Sequence, residues 1–319
     1  MTEDTQMNNR RTASARWLFD KGLARNRRAG DHRHRTAIQP GLTSAVSDAS
    51  NADTYVNQGF LYLEQDLMDE ALSCFNRVIE LEPDNPEAYN NTGYVHEMMD
   101  RLSSALYMYR KALALDEKNV EAMINMAHIR DLEGDYYGAL QNYEAALAVE
   151  PDNVNAHFCL GVLYDRYDMF DEAVHQYRQV LARDPDHRKA IFNLANLSIQ
   201  TGDYDSAVEL FRLLLDRDPD NAEAWNNLGS LHEELGNTDL ALRAWQQCLR
   251  LDPLQVEVNI NLARIQYCLW KSNCRGYRRQ EIIERLKFVL ALDPLSNRAK
   301  NLLERVEAMA GDEGFKLHY

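Results

Sequence analysis

From residue 52 onward, apolar positions recur at spacings of three and four, as expected of helices that each bury one face. The stripes come in pairs. Leu228, Leu231 and Leu235 form one and Leu240, Leu242 and Trp245 the next, across a turn of Gly236 and Asn237, which predicts two helices folded into a hairpin. The hairpin then recurs. Pro151, Pro185, Pro219 and Pro253 stand 34 residues apart, Pro83 lies 68 before Pro151, and Glu117 fills the place between. The same period carries Ala71, Ala105, Ala139, Ala173, Ala207 and Ala241. Each alanine is followed four residues later by an aromatic: Phe75, Tyr109, Tyr143, Tyr177, Phe211 and Trp245.

Twelve residues before each alanine sits another small residue, Gly59, Gly93, Ala127, Gly161, Ala195 or Gly229, where lack of bulk lets the two helices approach closely. A 34-residue hairpin with these residues in fixed places resembles the tetratricopeptide repeat, and AEAWNNLGSLHEELGNTDLALRAWQQCLRLDP, residues 222–253, is the most regular copy. The resemblance implies an all-α, right-handed superhelical solenoid of about seven hairpins with a C-terminal capping helix. The expected organisation is a basic N-terminal tail over 1–51, without regular apolar periodicity and expected to be disordered, then the solenoid over 52–295. Its repeats fall near 52–85, 86–119, 120–153, 154–187, 188–221 and 222–255, with an irregular one over 256–295. In that last repeat Pro253 and Pro294 are 41 residues apart, so an enlarged turn is expected around Trp270 to Arg279, with the second helix resuming near Gln280. Ala299, Leu302, Leu303, Val306 and Met309 share one face of a solubilising capping helix, 296–311, before a tail, 312–319.

In the family, the first helices line a concave groove through positions 2, 5, 6, 9, 12 and 13 of each repeat. Position 6 here is Asn57, Asn91, Asn125, Cys159, Asn193, Asn227 and Asn261. An amide both donates and accepts, so a row of asparagines can grip successive peptide groups of an extended chain without reading its side chains. This is similar to the asparagine ladder of the O-linked N-acetylglucosamine transferase superhelix. The alternative is that asparagine is simply a solvated helix residue at this position.

Position 2 adds Asp53, Glu87, Glu121, Glu223 and Glu257. Positions 12 and 13 add Glu64, Glu97, Asp131, Asp165, Glu233 and Glu234, an acidic set. Cations there are few, Arg166, Lys189 and Arg264, which disfavours the Lys, Asn and Arg clamp with which chaperone-binding members hold a terminal carboxylate. A partner bearing Lys or Arg, with aliphatic groups to meet Val56, Ile124, Phe158, Phe192 and Ile260, complements the groove better. The candidate peptide-binding residues are therefore Asn57, Asn91, Asn125, Asn193, Asn227, Asn261, Glu87, Glu121, Asp131, Asp165 and Glu223.

Charge narrows the partners. The net charge is -15, yet residues 1–51 hold nine Lys and Arg against five Asp and Glu. An acidic body disfavours a phosphate backbone, so no nucleic acid partner is expected. The basic tail contains ARWLFDKGLARNRR, residues 15–28, which could dock on the groove of its own or a neighbouring molecule. The loop residues Trp270, Lys271, Arg275, Tyr277, Arg278 and Arg279 combine aromatics with cations, either as a solvated loop or as a contact for nucleic acid or an acidic protein.

Five cysteines without CxxC spacing indicate neither a disulfide framework nor a zinc site, and His32 and His34 form an isolated pair. No secretory signal or apolar run long enough for a bilayer is present, so a cytoplasmic location is expected. The nucleotide-binding, serine-hydrolase and HExxH motifs are missing, and His96 and His232 fall at position 11, a packing site. No cofactor is implied. The expected function is a non-catalytic scaffold or adaptor binding an extended peptide. The alternatives are a substrate-targeting subunit of an enzyme complex such as a glycosyltransferase, or a chaperone for a secreted or assembling subunit.

Overall fold

The computed structural model describes residues 51–272 and 277–309, which form fifteen α-helices with no strand among them. The chain divides into two compact units after Arg183. The first holds α1 (Ala52–Glu64), α2 (Met68–Leu81), α3 (Pro86–Met98), α4 (Leu102–Leu115), α5 (Val120–Leu132), α6 (Tyr136–Val149), α7 (Val154–Arg166) and α8 (Phe170–Arg183). The second holds α9 (Arg188–Gln200), α10 (Tyr204–Arg217), α11 (Ala222–Glu234), α12 (Thr238–Leu251), α13 (Val256–Lys271), α14 (Arg279–Leu292) and α15 (Asn297–Ala308). Each is a stack of antiparallel hairpins opened by the odd-numbered helices.

Local chemistry explains where the helices begin and turn. The side chains of Asn85, Asn119, Asn153 and Asn221 accept from the backbone N–H three residues on, capping α3, α5, α7 and α11. His187 caps α9 in the same way through Nδ1, at 3.1 Å from the Ala190 nitrogen. Between the helices of each regular hairpin one residue takes a left-handed backbone. Gly134, Gly202 and Gly236 do so without penalty, at φ of 79°, 79° and 75°, whereas Asp66, Asp100 and Asp168 do so at 61°, 58° and 58°.

Packing within a hairpin centres on the alanine and the aromatic. All six alanines are fully buried, as are Phe75, Tyr109, Tyr177, Phe211 and Trp245. At Gly59, Gly93, Gly161 and Gly229 the ring lies on the small residue of the facing helix. A Cβ added to Gly93 would come within 2.6 Å of the Tyr109 ring, and one added to Gly229 within 2.5 Å of Trp245. Close approach, not backbone flexibility, is what these glycines supply.

The irregular repeat lengthens its first helix to 16 residues in α13, against 13 in α11. Its second helix starts at Arg279, whose guanidinium donates to the Val306 carbonyl at 2.9 Å and the Glu307 carbonyl at 3.0 Å. Those carbonyls lie in the last turn of α15, where Glu307 also accepts from the Met309 N–H, so this arginine of the expected basic loop is a C-terminal cap. Ala299, Leu302 and Val306 of α15 pack on Ile283, Leu286 and Val289 of α14, while Arg298, Lys300, Glu304 and Glu307 face solvent.

Candidate peptide-binding face

Within a unit, successive first helices lie side by side and exchange hydrogen bonds between residues about one repeat apart. In the first unit Asn125 donates through Nδ2 to Asn90 Oδ1 at 3.1 Å, and Asn90 in turn donates to Glu121 Oε2 at 3.4 Å. This bond engages one of the two Asn125 amide N–H groups and leaves its oxygen to accept. Asn57 is exposed. Asn91 is buried, at 8% exposure, and its amide has no hydrogen bond to any described residue. Cys159 is buried at the end of this row, with its thiol 3.7 Å from Asn155 Oδ1.

The second unit carries the other three asparagines, all half-buried. Asn227 Nδ2 donates to Asn196 Oδ1 at 2.8 Å, again leaving an acceptor. Asn261 Oδ1 accepts from Arg298 of the capping helix at 3.1 Å, and the same guanidinium is ion-paired with Glu257. The last amide of the row is therefore engaged by the cap.

The carboxylates separate into two groups. Glu87 and Glu223 are exposed and make no ion pair with a described residue, and Glu121 is exposed beside Asn90. Partial desolvation raises the Glu223 carboxyl above the ordinary range for glutamate. Asp131, by contrast, is buried and ion-paired with Arg166 at 2.5 Å. Asp165 is half-buried; desolvation and then the nearby Asp168 raise its carboxyl, against a hydrogen bond from Tyr177 that lowers it. Glu233 is paired with Arg264.

Glu97 is buried most thoroughly, receiving the Tyr109 hydroxyl at 2.7 Å and lying 2.6 Å from His128 Nδ1. Position 12 thus serves mainly for internal polar contacts, and the exposed acid comes from position 2 and from Glu64 and Glu234 at position 13. Sequence carried the signal for this. Where position 12 is Glu97, Asp131 or Asp165, the aromatic twelve residues later is a tyrosine; where it is Leu63 or Ile199, the aromatic is Phe75 or Phe211. Position 5 also needs correction, because Ile124, Phe158 and Ile260 are buried at 6%, 2% and 2% exposure and belong to the packing between helices. Val56 and Phe192 alone of that set are half-exposed.

His96 and His232 pack against their neighbours with Nδ1 buried and without a hydrogen-bond partner. Desolvation, and secondarily Arg101 and Arg212, hold both imidazoles below their ordinary pKa. Among the described residues, no helix is long and apolar enough to cross a membrane. The segment 15–28, His32, His34, Cys274 and Arg275 lie outside the described residues.

Family models described as tetratricopeptide repeat match residues 50–118, 166–231 and 222–253, and one described as TPR repeat matches 132–166. Together they span more than half of the chain. The chain belongs to the tetratricopeptide repeat family. No curated protein matches it in sequence. Similar solved structures include Pseudomonas aeruginosa pilF, 21% identical, covering 67% of this chain and 97% of that one with a TM-score of 0.59. A tetratricopeptide repeat protein from Parabacteroides merdae is 18% identical and covers 80% and 98%, with a TM-score of 0.52. A chain of the APC/C hetero-tetramer Cut9-Hcn1 is 19% identical and covers 80% and 54%, with a TM-score of 0.53. These likenesses establish the tetratricopeptide fold.

Proposed function

We propose that this tetratricopeptide protein is a non-catalytic scaffold or adaptor that holds an extended segment of a partner protein along the first helices of its repeats. The observation that carries the reading is the placement of Asn57, Asn91 and Asn125 at one helical position on the first helices of three successive repeats. The Asn125 and Asn227 oxygens, left as acceptors by their bonds to Asn90 and Asn196, suit the N–H groups of an extended backbone.

Main-chain recognition supplies affinity with little sequence preference, and the exposed Glu87, Glu121 and Glu223 add a preference for Lys or Arg in the segment. Asp131 and Asp165 act behind this face, as supports for its helices. The net charge of -15 argues against a nucleic acid partner. Cys74, Cys159, Cys248 and Cys268 are free thiols, which fits a cytoplasmic, reducing compartment.

The test is a selection of random linear dodecapeptides on the immobilised full chain, followed by affinity measurements on Asn57→Ala, Asn91→Ala, Asn125→Ala, Asn193→Ala and Asn227→Ala. Selected peptides should be enriched in Lys and Arg, and the Asn91→Ala and Asn125→Ala chains should bind about tenfold more weakly. Recovery of no linear peptide, or equal affinity for all variants, would overturn the proposal.

A further inference from the structure

The junction of the third and fourth hairpins carries a cluster of tyrosines in which Tyr137 departs from the pattern of the repeats. Tyr136 and Tyr137 open α6, Tyr164 lies near the end of α7, and Tyr167 follows it. The rings of Tyr136 and Tyr137 meet edge to face with centroids 5.2 Å apart, and those of Tyr136 and Tyr167 at 4.7 Å. Tyr136 is fixed further by its hydroxyl, 3.0 Å from the Met169 sulfur. Tyr137 is 80% exposed. In the other regular hairpins the equivalent residue is Asp69, Ser103, Asp171, Asp205 or Asp239, polar residues suited to the first turn of a helix. Tyrosine here gains nothing from burial and departs from the polar pattern, so packing does not account for it.

The electrostatics of the cluster favour a cation. Desolvation and then neighbouring tyrosines raise the Tyr136 and Tyr164 hydroxyls, and the negative charge of Glu144 and Glu172 adds to this, so the field at the cluster is acidic. Aromatic faces beside carboxylates suit a guanidinium, which stacks on the ring while donating to the acid. The chain carries such groups in its N-terminal segment: Arg25, Arg27, Arg28, Arg33 and Arg35, in a basic stretch of an otherwise acidic chain. Arg35 lies 16 residues before Asn51, which caps α1. Sixteen extended residues reach about 50–55 Å. Helix axes in contact lie about 8–10 Å apart, so the six steps from α1 to α7 fall within that reach or close to it.

We propose that the tyrosine cluster at α6 and α7 is a docking surface for the arginines of residues 25–35 of the same molecule. The contact is separate from the asparagine face, and its failure would leave the peptide-binding reading standing.

A photo-cross-linking amino acid, p-benzoylphenylalanine, placed at position 137 of the full chain tests this. Irradiation of dilute protein should give a principal cross-link to residues 21–40 of the same molecule. Changing Arg25, Arg27 and Arg28 to Gln should reduce its yield about fivefold or more, whereas Asn91→Ala should not. As a second measurement, Tyr137→Ser with Tyr167→Ser should speed tryptic cleavage after Arg25–Arg35 severalfold at an unchanged thermal midpoint. Cross-links falling elsewhere, cross-links only between molecules, or a yield and cleavage rate indifferent to these substitutions would overturn the proposal.

Discussion

Inside the second hairpin, Tyr109 donates its hydroxyl hydrogen to Glu97 Oε2 over 2.7 Å, with both side chains buried. Burial and the neighbouring carboxylate push the Tyr109 hydroxyl pKa well up, so the phenol remains a donor throughout the working pH range. Removing the hydroxyl deprives a buried carboxylate oxygen of its donor. Tyr109→Phe should therefore destabilise the fold by about 1–3 kcal/mol, although the same aromatic is native at Phe75 and Phe211. Urea unfolding followed by circular dichroism measures this; a cost within a few tenths of a kcal/mol would mean that the hydroxyl is not needed there.

How much of this was legible beforehand differs between the fold and the site. Small residues facing aromatics, as at Gly229 and Trp245, are fixed at a constant spacing by helix geometry, so the hairpins could be read from spacing alone. Burial of polar residues was harder to see. Glu97, Asp131 and Glu233 occupy positions that face outward in the family pattern, and only their partners Tyr109, Arg166 and Arg264, brought in by folding, show that they are used internally. The tyrosine cluster is not legible in sequence because Tyr136, opening α6, and Tyr167, in the turn after α7, belong to different repeats and meet only in three dimensions.

Close packing at Gly229 gives a second expectation. A methyl group there meets Trp245 at 2.5 Å, so Gly229→Ala should cost about 1–3 kcal/mol, in spite of alanine's better helix propensity. Trp245→Phe in the same chain should relieve part of the clash, making the double variant more stable than the sum of the two changes. Strict additivity in thermal unfolding would exclude the contact as the cause.

The left-handed aspartates predict a gain. Asp100 holds φ at 58° between α3 and α4, where Gly134, Gly202 and Gly236 serve in later repeats. Asp100→Gly should raise stability by up to about 1 kcal/mol, since the backbone strain of a side chain in this region disappears. A lower unfolding midpoint would show that the Asp100 side chain contributes more than its backbone costs.

Acidification should weaken the fold through His96 and His232. Their imidazoles are held below the ordinary value of about 6.5, so the unfolded chain binds more protons in the window just below it. Stability from these two groups is thus present above pH about 6.5 and is lost as pH falls toward their folded values. Replacing both by Phe should flatten this part of the stability-pH curve, measured by denaturant midpoints between pH 5 and 7. An unchanged slope would assign the dependence to other groups.

The central claim is that amides on successive first helices grip the backbone of a bound segment. Isothermal titration of the full chain with a selected dodecapeptide, compared with copies N-methylated at single peptide nitrogens, tests it most directly. The account predicts that methylation at alternate central nitrogens weakens binding about tenfold or more, while alanine in place of single uncharged side chains changes affinity little. Affinity that survives N-methylation and collapses on side-chain truncation would contradict it.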